Sequence, residues 1–68
     1  MMLSRLDKEI VKLLRRERLL TTYQIAKKLQ ISWSTANSHC YKLMSLNKLS
    51  CRREKSKFGL ERVVWWVK

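Results

Sequence analysis

The 68-residue chain is long enough for one domain with a small core, and we expect a single domain over residues 1–68. Hydrophobic residues make up 46% of the chain, which argues against disorder. The longest strongly apolar run, 63–67, is far shorter than the ~20 residues of a membrane span. The charged segment 1–9 lacks the apolar core of a secretion signal. We therefore expect a cytoplasmic protein with no membrane partner.

The charge of the chain is strongly unbalanced. Sixteen Lys and Arg face five Asp and Glu, a formal net charge of +11. Self-repulsion on so small a domain costs stability, so the excess predicts an anionic partner, with an ordinary basic solvated surface as the alternative. Five cations crowd into eleven residues that contain only Glu54 and Glu61 as acids. They are Arg52, Arg53, Lys55, Lys57 and Arg62.

The cysteines and the histidine do not have the spacing of a metal site or a catalytic centre. Cys40, Cys51 and His39 form neither a CxxC nor an HxxxH pair, so we predict no metal and no cofactor. We expect His39 to be a half-buried, hydrogen-bonded imidazole at the edge of an apolar seam. Without a partner for acid–base chemistry or a Gly-rich phosphate loop, the chain is not expected to be an enzyme.

Two helices are predicted in the first half of the chain. Helix 1 is expected over about residues 5–17, with Ser4 as its N-cap and Asp7 in the first turn, where its charge suits the helix dipole. Thr21 and Gln24 form a capping-box pattern, which predicts helix 2 over about 22–29. The apolar stripe of helix 1 consists of Leu6, Ile10, Leu13 and Leu14.

A third helix is predicted over about 33–46, after a turn at residues 30–32 and before Asn47, which tolerates a left-handed conformation. An idle surface helix would carry Glu, Lys or Gln on its outer face. The outer face here carries small or hydrogen-bonding side chains instead. They are Ser34, Asn37, Ser38, Tyr41 and Ser45. Because such side chains allow another surface to approach closely, we expect helix 3 to dock onto a partner.

The last third of the chain predicts a β-hairpin with a basic tip. Strands are expected over about 49–53 and 60–67, joined by a turn with the chain's only glycine, Gly59. Side chains alternate along a strand, so Trp65 is expected in the core and Trp66 on the opposite, exposed face beside Val64.

The motifs of this chain resemble the helix-turn-helix of small winged-helix transcription regulators of bacteria and archaea. The resemblance lies in Ile25–Ser32, the following Ser34-Thr35-Ala36, and the later Leu43 and Leu49. The MarR, ArsR and Lrp types are nearest in pattern. The resemblance implies an α+β winged helix-turn-helix fold, in which three helices precede a two-stranded antiparallel β-hairpin wing. It also implies a protein that binds double-stranded DNA and regulates transcription.

The resemblance further implies which residues contact DNA. Helix 3 would dock in the major groove, with base-edge and nearby backbone contacts from Trp33, Ser34, Asn37, Ser38, Tyr41 and Lys42. The basic wing would meet phosphates or the adjacent minor groove through Arg52, Arg53, Lys55 and Lys57. Since the outer face of helix 3 has one cation, base recognition is expected to depend on Asn37 and on DNA shape.

Other functions and assembly states remain open at this stage. Winged helices also serve as RNA-binding and protein-assembly modules, in which Trp33 and Tyr41 would anchor the partner. Because the chain ends after the second wing strand, we expect no ligand-sensing domain and no small-molecule effector. The apolar patch at Trp66 is either covered by Met1–Leu3 or forms a homodimer contact. We favour a homodimer whose interface includes Trp66 or the N-terminal half of helix 1, since paired readers match a two-fold operator.

Overall fold

The computed structural model describes residues 3–68, and the prediction for Met1 and Met2 lies outside this range. The described residues confirm the predicted α+β class, with three helices followed by an antiparallel hairpin. Helix α3 ends one residue earlier than predicted, β2 extends two residues further, and β3 starts one residue later. The elements are α1 (Arg5–Glu17), β1 (Leu20–Thr21), α2 (Thr22–Leu29), α3 (Trp33–Ser45), β2 (Leu49–Lys55) and β3 (Glu61–Val67).

The helix starts follow from local side-chain chemistry. In α1 the Asp7 backbone N–H donates to Ser4 Oγ at 3.1 Å, and Asp7 Oδ2 accepts from the Ser4 N–H at 2.8 Å. Thr21 and Gln24 form the same reciprocal box at α2, at 3.1 and 2.9 Å. Ser32 caps α3 through its side chain. Each box satisfies two backbone groups that helix geometry leaves unpaired, so the sequence sets these starts locally.

Within residues 3–68, three residues other than glycine have positive φ, and each lies where a helix ends. Asn47, with φ of 64°, follows α3 as predicted, and Gln30, with φ of 56°, ends α2 in the left-handed region. Arg18 leaves α1 at φ 77° and ψ −56°, outside the left-handed helical well. A hydrogen bond of 2.9 Å from the Leu19 N–H to the Glu17 carbonyl closes this tight turn. The turn at Arg18 directs the chain from α1 into β1.

The sheet has an additional strand that the sequence analysis missed. The strand order is β1-β3-β2, and both pairings are antiparallel. Leu20 lies opposite Trp65, and Thr21 lies opposite Val64. The expectation that Val64 is exposed is therefore wrong: Val64 is 3% exposed, because it lies in the central strand with neighbours on both sides. Beyond Val63 the hairpin continues as a two-stranded ribbon.

Trp65 lies at the centre of the core, as predicted, and is fully buried. Its indole N–H donates to the Thr22 hydroxyl at 2.8 Å, so the one polar atom of the side chain is satisfied. The ring of Tyr41 meets it edge-on, with the ring centroids 5.0 Å apart and the planes at 86°. Trp65 therefore joins the central strand to both α2 and α3.

A buried carboxylate joins α1 to α3. Asp7 is 0% exposed, whereas the sequence suggested only a surface role in the first turn. His39 Nδ1–H donates to Asp7 Oδ1 at 2.6 Å, and Lys42 Nζ lies 2.5 Å from Oδ2. Burial alone would raise the pKa of Asp7. The hydrogen bonds from Lys42, His39 and Ser4 outweigh burial and hold this pKa well below its usual range.

Replacing Asp7 with Asn should destabilise the fold and change its response to acid. We expect the free energy of unfolding to fall by roughly 2–4 kcal/mol at neutral pH. This is in the lower part of the usual cost of breaking a buried ion pair, because Lys42 and His39 are partly exposed. A depressed native pKa gives stability that is complete above the unfolded-state pKa of 3.8 and is lost as the pH falls below it. Urea melts from pH 7 to 2 would measure this.

The acid dependence separates the charge of Asp7 from its packing. The wild type should lose stability below about pH 4 more steeply than Asp7→Asn, so the two curves converge at low pH. Glu9→Gln, an acid of the exposed face of α1, serves as the matched control and should leave the neutral-pH stability nearly unchanged. Parallel curves for the wild type and Asp7→Asn would contradict the role assigned to the carboxylate.

Candidate nucleic-acid interface

One row of α3 side chains faces the hairpin across an open groove. Trp33, Asn37 and Tyr41 follow each other at a spacing of four, which places them on one side of the helix. The groove has a volume of about 640 Å³ and lies between α3, the start of α2 and the hairpin. Its lining comprises Thr21, Thr22, Tyr23, Gln24, Trp33, Asn37, Tyr41, Arg53, Glu61, Arg62 and Val63.

The three α3 side chains of the groove differ in how firmly they are held. Tyr41 is half-buried and rests edge-on against Trp65, so its ring position depends on the core. Trp33 is 53% exposed at the start of the helix. Asn37 is half-buried, and within residues 3–68 its amide takes part in no side-chain hydrogen bond. The groove therefore offers an aromatic wall and an amide with free donors and acceptors.

The two predicted serines form the neighbouring row of α3. Ser34 and Ser38 are exposed and lie four residues apart, outside the groove lining. Ser34 lies 3.3 Å from the hydroxyl of the N-cap Ser32, while Ser38 is open to solvent. The side chains of this row are short and polar, so a second surface can approach this side of α3 closely.

Lys42 already has a partner inside the domain. The resemblance assigned it to the DNA contacts of α3, and in the structure its ammonium pairs with Asp7 and its side chain is 34% exposed. The buried carboxylate attracts the ammonium towards α1, because a buried charge must be paired to be stable. Lys42 is thus a structural residue that stabilises the α1–α3 contact.

The wing cations divide between the two faces of the ribbon. Arg53 lines the groove, and Lys55, two residues further along β2, lies on the same face. Arg52 lies on the opposite face, where its guanidinium is 2.6 Å from Glu54. Within residues 3–68 no ion pair engages Arg53, Lys55 or Lys57. These three cations are the ones available to an anionic partner.

Of the eleven groove residues, seven were not assigned to the site by the sequence analysis, among them Tyr23, Gln24 and Arg62. Tyr23 and Gln24 come from the first turn of α2, and Arg62 comes from β3. Arg62 also lies 3.3 Å from Glu54. Its place in the cation cluster was a usable signal, whereas Tyr23, which is 61% exposed, gave only the weak signal of an aromatic residue in the first turn of a helix.

Trp66 lies away from the groove, on the other face of the sheet. It is half-buried beside a shallow depression that it lines with Leu14, Arg15, Arg18 and Val67. Leu3, from the segment expected to cover this patch, packs partly buried against the core but does not line this depression. Because Val64 is 3% exposed and Trp66 is half-buried, the patch at Trp66 is smaller than the sequence suggested.

Neither a membrane-spanning helix nor a metal-binding cluster is found among residues 3–68. No helix in this range is long and apolar enough to cross a bilayer. No cluster of three or more His, Cys, Asp or Glu side chains in the described part of the chain could hold a metal ion.

Burial raises the pKa of the Cys40 thiol to about 12, so this cysteine is a neutral core residue at physiological pH.

Three solved structures share this architecture over nearly the whole chain. A "possible transcriptional regulator" from Methanosarcina mazei Go1 matches 97% of the chain with a TM-score of 0.86 and 20% identity. The zinc-responsive MarR family member ZitR of Lactococcus lactis matches 100% with a TM-score of 0.83 and 22% identity. The Zalpha domain of Carassius auratus PKZ, solved in complex with Z-DNA, matches 94% with a TM-score of 0.78 and 23% identity.

The fold is a winged helix-turn-helix. In this fold α2 and α3 form the helix-turn-helix, and β2 and β3 form the wing. The chain spans 57% of the M. mazei protein and 45% of ZitR, but 94% of the Zalpha domain. Neither a model of a known protein family nor a curated protein sequence matches the chain.

Proposed function

We propose that this protein binds double-stranded DNA and regulates transcription. The observation that supports this most directly is the groove, in which Asn37 and Tyr41 of α3 lie across from Arg53 of the wing. An amide that can contact base edges and a cation that can contact phosphates thus border the same opening. The net charge of +11 supplies the long-range attraction for a polyanion.

In the proposed docking, α3 enters the major groove and the wing follows the backbone or the adjacent minor groove. Ser34 and Ser38 approach the bases or sugars closely, because they are short and exposed. Arg53, Lys55 and Lys57 meet phosphates, and Arg52 contributes less because Glu54 already pairs with it. Trp33 and Tyr41 pack against the sugar–phosphate edge of the duplex.

A second candidate is duplex DNA in its left-handed form. It is favoured by the match to the Zalpha domain in complex with Z-DNA, which covers 94% of both chains and so involves the whole of each domain. RNA binding and protein assembly through Trp33 and Tyr41 are further alternatives. Fluorescence anisotropy with a mixed-sequence duplex, a left-handed alternating GC duplex, a single strand and a structured RNA distinguishes these candidates. We expect the mixed-sequence duplex to bind most tightly.

Binding should weaken steeply with salt, and the wing should account for a defined part of that dependence. With 4 to 6 phosphates neutralised, the slope of log K against log salt should be about −4 to −5. Replacing both Arg53 and Lys55 with Gln should reduce the magnitude of the slope by about 1.8, since each lost phosphate contact contributes about 0.9. Replacing Arg52, Arg53, Lys55 and Lys57 together should reduce it further.

The matched control removes two cations from another surface. Lys8→Gln with Lys12→Gln changes the net charge equally, but these lysines lie on α1 outside the groove. The control should retain a slope close to that of the wild type. Equal slopes for the two double variants, or an unchanged slope in the quadruple wing variant, would remove the wing from the proposed interface.

Asn37→Ala should relax base selectivity at one position of the site. A bidentate amide contact to adenine contributes about 1–3 kcal/mol of discrimination. Selection from a random duplex pool with wild type and variant measures this directly. Leu19→Ala, a change at an exposed side chain outside α3 and the wing, is the control. Loss of affinity that is equal for all sequences would show that Asn37 does not recognise bases.

We further propose that the protein forms a homodimer whose contact includes Trp66. The half-buried indole borders a depression of about 390 Å³ on the face opposite the groove, so pairing there leaves both grooves free. Sedimentation at micromolar concentration should show a dimer, and Trp66→Ser should shift it towards monomer. Trp33→Ser, which changes the exposed groove tryptophan, should leave the mass unchanged. A monomeric wild type, or a fully dimeric Trp66→Ser variant, would contradict this contact.

A further inference from the structure

The tip of the wing carries the two most exposed large apolar side chains among residues 3–68. Phe58 is 80% exposed and Leu60 is 71% exposed, with only Gly59 between them. Single exposed apolar side chains are common on proteins, but two at the end of a projecting hairpin form a small apolar point. Turn positions usually hold Gly, Asn, Asp or Ser, so turn geometry alone does not explain them.

The turn that presents these side chains is held by several hydrogen bonds. The Ser56 hydroxyl accepts from the backbone N–H groups of Phe58 and Leu60, each at 3.2 Å. The Ser56 backbone donates to the Leu60 carbonyl at 2.8 Å and accepts from the Gly59 N–H at 3.0 Å. Gly59 has a φ of 82°, which a residue with a side chain rarely adopts. These hydrogen bonds hold the backbone of the turn so that both apolar side chains are presented at the tip.

The apolar point also extends away from the body of the domain and has two lysines beside it. Strand β1 ends opposite Val64, so the ribbon projects by three further residues of β3, about 10 Å, before the turn begins. Lys57 Nζ lies 5.5 Å from the centre of the Phe58 ring. Lys55 stands just before the turn, opposite Glu61. The tip thus presents apolar groups beside two cations and one acid.

We propose that the wing tip enters the minor groove of duplex DNA and that Phe58 and Leu60 wedge a base step and bend the duplex. This inference rests on the proposed DNA-binding function. Apolar side chains inserted from the minor groove unstack base steps and kink the duplex, while cations beside them contact the flanking phosphates. The minor groove is about 7.5 Å deep, which the ~10 Å projection of the ribbon can span.

The combination of charge and size favours DNA over the other occupants of an apolar tip. A stable contact with a second copy buries roughly 800 Å² on each side, far more than two side chains provide. Two copies would also bring Lys55 and Lys57 of each wing together, which like-charge repulsion opposes. A duplex supplies anionic phosphates for these lysines and an apolar base stack for the rings.

The test measures bending and binding of the same duplex. Energy transfer between dyes on the two ends of a duplex of about 30 base pairs reports the bend, and anisotropy reports affinity. The wild type should bend the duplex by roughly 20–90°. The double variant Phe58→Ala with Leu60→Ala should lose most of the bend and bind about tenfold more weakly. Its salt slope should stay at the wild-type value, because no charge is removed.

The controls test whether a lost bend reflects the missing wedge rather than unfolding or a different partner of the tip. Leu19→Ala removes a side chain that is 50% exposed, next to the β1 end of the sheet, and should change neither bend nor affinity. Both wedge residues are exposed, so the double variant should keep the wild-type melting temperature. A wild-type bend in the double variant would overturn the wedge. A changed sedimentation mass of the double variant would indicate a protein contact at the tip and would also overturn the wedge. Loss of binding to phosphatidylserine vesicles by the double variant, with an unchanged bend, would indicate a membrane surface and would overturn it as well. If the wild type binds no duplex at low salt, the proposed function fails as well.

Discussion

The placement of the wing relative to the helices depends on one buried side chain, Trp65. It lies in the central strand between Leu20 of β1 and Cys51 of β2, and it is fully buried. Its N–H bonds to Thr22 at the start of α2, and its ring contacts Tyr41 of α3. Because a close-packed core does not deform gradually, these contacts fix the angle between the wing and the helix-turn-helix. The width of the groove follows from that angle.

Asp7 fixes α3 from the other side. A carboxylate that is 0% exposed must be paired, and its partners, His39 and Lys42, are one turn apart on α3. Replacing such a network with apolar residues of equal volume often costs no stability, so its value here lies in fixing the rotation of α3 about its axis. That rotation decides whether Asn37 and Tyr41 face the groove or turn away from it.

Local chemistry made most of the fold predictable, and long-range contacts account for what was missed. The two capping boxes and the left-handed Asn47 depend on neighbouring residues, so the sequence located the helix starts and the end of α3. Strand β1 has two residues, too few for any alternation to reveal, and it exists only because β3 lies beside it. Because the sequence analysis did not include β1, it wrongly expected Val64 to be exposed.

The candidate site was predictable to the same extent. Helical spacing placed Asn37 and Tyr41 on one face without knowledge of the wing, whereas Trp33 was assigned only through the family resemblance. The pairing of Lys42 with Asp7 could not be predicted, because Asp7 is thirty-five positions away in sequence and no local pattern marks a carboxylate as buried. A cation that stabilises the fold looks identical in sequence to one that binds a partner, so charge alone does not separate the two.

The acids show how the fold divides its charges between these two tasks. Asp7 takes up Lys42, Glu17 lies near Arg16 and Lys28, and Glu54 lies near Arg52 and Arg62. Glu54 points away from the groove, so the pairs it forms do not involve Arg53 or Lys55, and Glu61 is the one acid that lines the groove among residues 3–68. Exposed pairs of this kind contribute little to stability, about 0–1 kcal/mol each. Their effect is on where the charge of the domain lies. They lower the self-repulsion of a chain with net charge +11 on the face opposite the groove. Arg53 and Lys55 have no ion pair among residues 3–68 and lie on the face that the proposed partner approaches.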